Sequence, residues 1–482
     1  MEERLIDIFK QIAAIPRASG NEKAMCDFLA DFAKQRGLSC TRDDFLNVII
    51  ERPASEKKKN SAGVFLQAHT DIVCEKAAGS THDFAKDPIT VIRDGDLLKA
   101  KDTTLGADNG IGVAMMLAAL EENFDNPRIV ALFTADEERG MGGVKNLELD
   151  DYKDVPALIN LDAEDEGIFL SSCAGGVRCA FEIDAERKEY GGASDGTGGS
   201  LTQLAVTVKG LNGGHSGLMI DRENANAILV LTRVLRRILR HVWFKLLDIS
   251  GGGKENSIPS LASAVIAVQP DEVAMVCQIA DAVCAEVRGE YEETEKSITV
   301  ECAEHSEVFA THIDGGALGK LLNLILLLPN GLLKRNLKNN TAVASSNLGV
   351  LKVEGDKIIT AGMARSNIDS CKEQIVAQFT ALARMTGCRF TASNDYPAWE
   401  HKSTSRIRDH FVNVYRQQYN KEPNVESVHA GLECAYFAKK LPALDIISVG
   451  CDIHGAHSIR ENVSVSSALR TYQLVKAALE TL

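Results

Sequence analysis

Four short, mainly apolar runs constrain the fold of this chain most, because each is followed by histidine or acidic residues. They cover residues 64–68, 129–133, 157–161 and 446–449. Such runs are typical of strands that are buried on both faces of a parallel sheet. Open α/β sheets bind their ligands at the carboxyl ends of these strands. The runs therefore predict an α/β fold, with a parallel-rich sheet that carries a functional site at one edge.

An acidic cluster follows the second run. Asp136, Glu137 and Glu138 are consecutive and lead into a glycine-rich segment. Neighbouring carboxylates repel one another, which favours a bound cation. On this segment alone, a solvated acidic turn is an equally good interpretation.

The first run ends in His69-Thr70-Asp71, and Asp108 lies in a glycine-rich turn before a helix predicted at residues 113–120. An imidazole can bind a metal through one nitrogen while a carboxylate holds the other. Taken singly, however, His69 is more often a hydrogen-bonded structural histidine. The position of Asp108, taken by itself, favours a helix N-cap over a ligand.

Together these positions form one set of candidates. Its members are His69, Asp71, Asp108, Glu137, Glu138, Asp162 and His457. Two histidines and three carboxylates suit two divalent ions of the zinc type that share one carboxylate, with a further glutamate to accept a proton from water. A single structural zinc would favour paired cysteines, and the twelve cysteines of the chain form no CxxC motif.

The middle of the chain has a different pattern. Residues 201–209 alternate as a half-exposed antiparallel strand does, and strand-like and helix-like segments then interleave. Residues 187–199 are polar and glycine-rich, which is typical of a surface loop or a domain border. We predict a catalytic domain made of residues 1–183 and 394–482, with an inserted α/β lid or substrate-binding domain at residues 184–393.

Composition limits the class of protein. The 482 residues are 45% hydrophobic and carry a net charge of −14, which argues against a nucleic-acid or anionic-membrane surface. The charged, amphipathic N-terminus does not read as a signal peptide, and no apolar run is long enough to span a membrane. The scattered cysteines read as free thiols, so we predict a cytoplasmic protein.

Ten segments carry a resemblance to a known family. The chain resembles the M20 metallopeptidases and, within them, the aminoacyl-histidine dipeptidase subgroup. The matching segments span nearly the whole chain in the expected order: FLQAHTDIV, HDFAKDPI, TTLGADNGIG, ADEERGMGG, LINLDAEDEG, CAGG, GGHSG, SSNLG, HAGLEC and GAHS. One such segment would be weak evidence, whereas ten in register are specific.

The resemblance implies a metal-ligand set. Asp108 would bridge two metal ions. His69 and Asp162 would complete one site, and Glu138 and His457 the other. The ions would be Zn²⁺, with Co²⁺ or Mn²⁺ left open because the ligand types do not select among them.

The resemblance also implies roles for five other residues. Glu137 would be the general base, and Asp71 would orient His69. In the family the inserted domain closes over the sheet domain, and His215 would stabilise the oxyanion from its own chain or across a dimer. Asn256 and Arg365 would hold the substrate, with Arg365 as the partner of a free C-terminal carboxylate.

The function implied is metal-dependent hydrolysis of dipeptides, either aminoacyl-histidine dipeptides or a broader range. Relatives of the subgroup suggest a homodimer. The alternatives are another M20 reaction, such as deacylation of N-acyl amino acids or aminopeptidase action on short peptides, and a metal-free binding protein of the same fold. Retention of every proposed metal ligand speaks against the binding protein.

Departures from the family pattern leave substrate preference open. Glu255 precedes Asn256 where a basic residue is expected. His429 and His454 lie in matching segments, and either a supporting role or a packing role is open for each.

Overall fold

The structure is a computed structural model that describes residues 1–189, 201–338 and 340–482. Most of the loop predicted at residues 187–199 lies outside the described residues. The strands, in chain order, are β1 Ser39–Arg42, β2 Val48–Arg52, β3 Val64–His69, β4 Val91–Asp94, β5 Leu97–Ala100, β6 Ile129–Thr134, β7 Ala157–Ala163, β8 Ile168–Cys173, β9 Gly175–Asp184, β10 Arg187–Glu189, β11 Thr202–Lys209, β12 Gly214–His215, β13 Lys245–Gly252, β14 Ser257–Ile258, β15 Ala262–Val268, β16 Thr299–Glu304, β17 Thr311–Ile313, β18 Gly331–Arg335, β19 Ala342–Glu354, β20 Lys357–Ser366, β21 Arg389–Tyr396, β22 Asn424–Val428, β23 Asp445–Gly450, β24 Ile453–His454 and β25 Asn462–Ser464.

The described ranges contain eleven α-helices, and the helix predicted at residues 113–120 lies within the third of them. They are α1 Glu2–Ala13, α2 Lys23–Gln35, α3 Ala107–Glu121, α4 Gly142–Asn146, α5 Ala227–Leu239, α6 Val273–Glu290, α7 Gly315–Leu327, α8 Asp369–Thr386, α9 Arg406–Tyr419, α10 Cys434–Lys440 and α11 Val465–Thr481. Among the helices of the described ranges, none combines the length and the hydropathy that crossing a membrane requires.

The chain divides into two compact units. Unit 1 comprises Met1–Cys173, Trp399–Val428 and Leu432–Leu482, and unit 2 comprises Ala174–Ala398 and His429–Gly431. The catalytic and lid roles predicted for the two parts of the chain stay predictions.

Unit 1 is built on an eight-stranded sheet in the order β1-β2-β6-β3-β7-β23-β8-β22. The four runs singled out in the sequence are its central neighbours β6, β3, β7 and β23, which pair in parallel. Every residue of β3 and β6 is buried. The predicted parallel-rich α/β fold is therefore confirmed.

Helices cover this sheet because their apolar faces need burial. In α1, Leu5, Ile8, Phe9 and Ile12 recur at helical spacing and are all at most 2% exposed. They pack in one core with α3, which is buried over nearly its whole length. Burying each such side chain contributes about 1.5–3 kcal/mol, so the core stabilises the sheet whose edge carries the polar candidates.

Unit 2 contains an eleven-stranded sheet whose main path is β16-β11-β15-β13-β19-β20-β9-β21. Val177, Cys179 and Phe181 on β9 pack in its hydrophobic core. Side chains alternate along a strand, so Arg178 lies on the opposite face. Arg365 on β20 shares that face, because Met363 and Arg365 pair with Arg178 and Gly176 of β9.

Candidate active site

The parallel strands of unit 1 deliver the predicted polar residues to one edge of the sheet. His69 is the last residue of β3, Glu137 and Glu138 follow β6, and Asp162 lies near the end of β7. His457 follows β23 in the same sheet. Because the carboxyl ends of parallel neighbours meet at one edge, residues far apart in sequence become adjacent.

Asp108 is at the centre of this cluster. Its Oδ1 lies 3.0 Å from His69 Nε2, and its Oδ2 lies 3.1 Å from His457 Nε2. Asp162 Oδ1 is 3.3 Å from the same nitrogen of His69, and both carboxylate oxygens of Glu138 are 3.1 Å from that of His457. The structure thus forms two groups of possible ligands that share Asp108, each with its ligand atoms within 4.8 Å of one another.

The interpretation of Asp108 as a helix N-cap is wrong. The N-cap of α3 is Gly106, and no side chain caps the helix there. Asp108 and Asn109 have non-helical backbone angles within the first turn. The carboxylate of Asp108 contacts the two histidines instead of the helix N-terminus.

Asp71 supports the cluster from beneath. Its Oδ1 lies 3.5 Å from His69 Nδ1, and its carboxylate accepts hydrogen bonds from Ser19 Oγ at 2.7 Å and from the backbone N–H groups of Glu137 and Glu138 at 3.0 and 3.1 Å. Burial opposes ionisation, but His69 and these donors lower the pKa of Asp71 to about 2. Asp71 therefore stays anionic and can orient both the His69 ring and the turn after β6.

The electrostatics of the cluster favour a bound cation. Burial, reinforced by Asp162 and Glu138, raises the pKa of Glu137 well above its ordinary value. Burial likewise raises the pKa of Asp162 to about 6. Hydrogen bonds that the His457 ring donates to the carboxylates of Asp108 and Glu138 raise the pKa of His457 to about 11.

Crowding of the carboxylates contributes to all three shifts, beside the burial that raises the pKa of Glu137 and Asp162. Crowded carboxylates are stabilised by holding protons or positive charge nearby. A donor set of imidazole nitrogens and carboxylate oxygens suits divalent ions of the zinc type. The residues present therefore fit a two-metal centre.

Asp136, the first member of the acidic cluster, belongs to a different contact. Its carboxylate accepts a hydrogen bond from Arg139 Nε at 2.8 Å, three residues further on. It forms part of no candidate metal group in the described chain. Only the second and third carboxylates of the cluster turn toward the histidines.

A buried polar network beneath the cluster was missed by the sequence reasoning. The carboxylate of Glu433 accepts hydrogen bonds from Gln67 Nε2 at 2.5 Å and from Thr134 Oγ1 at 2.6 Å, and Asn160 Nδ2 donates to Gln67 Oε1 at 2.6 Å. Burial raises the pKa of Glu433 to about 8. The available signal was the presence of Gln67 and Asn160 inside otherwise apolar runs.

Unit 2 brings His215 and Asn256 together. β12 and β14 form a two-stranded ribbon in which His215 pairs with Ser257, and the backbone N–H of Ser216 donates to Asn256 O at 2.8 Å. The Nδ1 atom of His215 accepts from the N–H groups of Gly217 and Leu218 at 3.3 and 3.2 Å. The proton of the neutral ring therefore lies on Nε2.

Arg365 is a buried cation, 5% exposed. Its Nη1 donates to Tyr396 Oη at 2.7 Å, while its Nε has no hydrogen-bond partner in the described residues. No carboxylate of the described chain lies within ion-pair distance of this guanidinium. By contrast, Arg178 on the same face is neutralised by both oxygens of Glu255, at 2.6 and 2.7 Å.

His429 belongs to unit 2 and lies near Arg365. Its Nδ1 contacts Asn367 Oδ1 at 2.8 Å, and its Nε2 contacts Ser345 Oγ at 2.8 Å. Burial, together with the positive charge of Arg365, lowers the pKa of His429 to about 3. This ring is therefore neutral, and two hydrogen bonds fix its orientation. His454, in contrast, is exposed on β24.

Known proteins resemble the chain over its full length. It is 33% identical to the cytosol non-specific dipeptidase of Escherichia coli (strain K12), over 99% of this chain and 97% of that protein. The crystal structure of aminoacylhistidine dipeptidase from Vibrio alginolyticus matches with a TM-score of 0.88 at 31% identity, over 99% of this chain and 96% of that one. A tripeptidase from Staphylococcus aureus shares the fold, with a TM-score of 0.57 at 14% identity over 100% and 98% of the two chains. Residues 65–481 match the model of peptidase family M20/M25/M40, so the chain belongs to this family and is a hydrolase of peptide bonds.

Proposed function

We propose that this chain hydrolyses unblocked dipeptides and that two divalent metal ions in unit 1 are required. The observation that carries the proposal is the pair of ligand groups that share Asp108, with Glu137 in a third group alongside His69 and Glu138. The names of the Escherichia coli and Vibrio alginolyticus relatives, both dipeptidases, support this substrate class.

Five residues would hold the ions. His69, Asp108 and Asp162 would bind one, and Asp108, Glu138 and His457 the other. Zn²⁺ is the proposed metal, with Co²⁺ and Mn²⁺ compatible with the same ligands. When bound, the pair would polarise the scissile carbonyl and lower the pKa of a water molecule.

Glu137 would move the proton. It is half-buried beside the ligand groups but belongs to neither of the two that share Asp108. Its carboxylate would accept a proton from the attacking water and deliver it to the nitrogen of the leaving amine. Asp71 would keep the His69 ring in place, and His215 Nε2–H would donate to the oxygen that becomes negative.

Arg365 supports a substrate with a free C-terminal carboxylate. A buried guanidinium without an acidic partner is costly, and a substrate carboxylate would offset that cost with two charge-assisted hydrogen bonds. Tyr396 would keep the guanidinium in place. Asn256, beside His215 on the ribbon, would contact the peptide.

The proposed setting is the cytosol, which is also named for the Escherichia coli relative. All twelve cysteines are free thiols, as a reducing compartment allows. A homodimer is proposed as well, and sedimentation velocity would distinguish it from the 52.1 kDa monomer.

The test is hydrolysis of alanyl-histidine, β-alanyl-histidine, alanyl-alanine and an N-acetyl amino acid by the Zn²⁺-loaded protein. We expect cleavage of the dipeptides and its loss in Glu137→Gln with metal content retained. Glu3→Gln, an exposed change of the same type on α1, is the control. Turnover of the acetylated substrate alone would replace the proposal with deacylation, and cleavage that survives Glu137→Gln would contradict the role of Glu137.

A further inference from the structure

The backbone turn that carries Asp108 is held by a buried carboxylate with no role in the proposed function. Glu461 is 3% exposed, and it accepts hydrogen bonds from four consecutive backbone N–H groups, residues 105–108. The first two donate to Oε2 at 2.7 and 2.8 Å, and the last two to Oε1 at 2.7 and 3.1 Å. One side chain thus fixes the whole turn.

A buried guanidinium holds the same turn from another side. Arg17 is 1% exposed, and its Nη2 donates to the carbonyl of Gly106 at 2.6 Å. Its Nη1 donates to the carbonyl of Thr70 at 2.9 Å and lies 3.4 Å from that of Asp71. Arg17 therefore ties the Asp108 turn to the residues that directly follow His69.

Two glycines leave room for this guanidinium. Gly106 has a φ of +69°, and an added Cβ there would lie 2.8 Å from Arg17 Nη2. An added Cβ on Gly110 would lie 2.5 Å from the same atom. The two glycines that flank Asp108 in the segment TTLGADNGIG are thus explained by contact with Arg17.

The two buried charges belong together. Burial lowers the pKa of Arg17 to about 10, and Glu461 is the largest of the charges that oppose this change. Arg17 therefore remains a cation at neutral pH. In the described structure neither side chain forms a hydrogen bond with the carboxylate of Asp108 or with either histidine, so both hold Asp108 in place through hydrogen bonds to the backbone of its turn.

We propose that Arg17 and Glu461 are positioning residues, which fix residues 105–108 so that Asp108 presents one oxygen to each metal-ligand group. The inference rests on the proposed two-metal site. Because both sites share Asp108, displacing this turn should weaken the binding of both ions together. A defect in a ligand that belongs to one site should weaken the binding of that ion first.

The first variant is Glu461→Gln in the full-length chain. An amide offers one acceptor oxygen, so two of the four N–H groups lose their partner. The chelator-stripped protein would be titrated with Zn²⁺ in competition with a chromophoric chelator. Partners that orient a ligand typically change metal affinity by about 10–100-fold, and we expect a loss of this size at both sites.

Glu295→Gln is the matched control. Glu295 in unit 2 is 4% exposed, and its carboxylate accepts backbone N–H groups of Asn212 and Ala225 at 2.8 and 3.0 Å. It contacts none of the proposed metal ligands. This substitution should lower stability and leave Zn²⁺ affinity unchanged.

A second measurement separates positioning from a purely structural role. Binding of Zn²⁺ raises Tm, and a residue that only stabilises the fold lowers Tm equally with and without the metal. We expect Glu461→Gln, and more weakly Arg17→Lys, to reduce the rise itself. Arg17→Lys keeps the cation but loses the guanidinium fork, and it serves as the test if Glu461→Gln does not fold.

The outcomes distinguish this inference from the proposed function. The inference is overturned if Glu461→Gln keeps both the Zn²⁺ affinity of the wild type and its rise in Tm on Zn²⁺ binding. It is also overturned if Glu295→Gln loses as much Zn²⁺ affinity as Glu461→Gln. Both outcomes hold even if the wild type cleaves alanyl-histidine. A wild type that binds two Zn²⁺ ions but cleaves no dipeptide would overturn the proposed function. In that case a selective loss of Zn²⁺ affinity in Glu461→Gln would still support the inference.

Discussion

Asp108 faces a different histidine with each of its carboxylate oxygens, at 3.0 Å from His69 Nε2 and 3.1 Å from His457 Nε2. Asp108→Asn leaves one acceptor oxygen and removes the negative charge. We expect the purified variant to retain less than one metal ion per chain and to lose at least about 100-fold in activity, since even residues that only support a ligand cost about 10–100-fold. Elemental analysis after gel filtration measures the metal. The exposed Asp94→Asn should retain both ions, and full retention by Asp108→Asn would contradict a shared ligand.

Arg365 and Arg178 lie on the same face of one sheet but differ in charge compensation. Arg365→Met should raise KM for a dipeptide by about 100-fold, because a charge-assisted pair with the substrate carboxylate is lost. A dipeptide with an amidated C-terminus should be a poor substrate for both proteins, with little further effect of the substitution. Arg178→Met is the control, because Glu255 already neutralises that guanidinium. Equal effects on the free and amidated substrates would contradict a role in carboxylate binding.

Glu433 gives a prediction about pH. Its pKa is raised by burial from an ordinary 4.5 to about 8, so the folded state retains a proton that the unfolded state releases. Its contribution to stability is therefore present below about pH 4.5 and is lost as pH rises toward 8.

The measurement compares metal-free wild type with Glu433→Gln by urea denaturation at pH 5.5, 7 and 8.5. The free energy of unfolding of the wild type should fall relative to that of the variant as pH rises, by up to about 1.4 kcal/mol per pH unit. Parallel pH profiles for the two proteins would show that Glu433 titrates normally.

Gly106 tests the packing of the Asp108 turn. Gly106→Ala would place a Cβ 2.8 Å from both Arg17 Nη2 and Ile72 Cγ2, at a φ of +69°. Gly95→Ala has a similar φ of +62° but meets no atom within 4 Å.

The Gly95 variant should therefore lose only the cost of a left-handed alanine, about 1–2 kcal/mol. Gly106→Ala should lose a further 1–3 kcal/mol or so from overpacking. Urea denaturation measures the loss in free energy of unfolding for both variants. Equal losses would mean that the Arg17 side chain moves aside without a loss of stability.

The parts predicted from sequence are those with local signals. Apolar runs in the sequence indicate buried parallel strands. The polar residue that follows each run lies at the carboxyl edge of the sheet, and this does not depend on how the strands are connected. His69, Glu138 and Asp162 were therefore predictable as neighbours from the sequence alone. The resemblance to M20 peptidases added the bridging role of Asp108, a candidate whose local position had favoured an N-cap.

The parts missed have no local signal. Glu461 holds N–H groups some 350 residues earlier in the chain, and Arg17 contacts carbonyls that follow a strand and precede a helix. Backbone N–H and carbonyl groups do not depend on residue type, so no pattern of residue types marks them as partners. Gly106 and Gly110 were evident in the sequence. The side chain that requires glycine at both positions, Arg17, comes from a distant part of the chain.

The position of β23 has a consequence for how the protein is made. β23 lies between β7 and β8, which are neighbours in sequence, and pairs with both of them. Roughly 280 residues must be synthesised after β7 before β23 leaves the ribosome, which takes on the order of 15–60 s at about 5–20 residues per second. Until then the nascent sheet has an open slot at its centre and lacks His457. Unit 1 therefore cannot mature by growth from its N-terminus, and loading of both ions is expected only after His457 has left the ribosome.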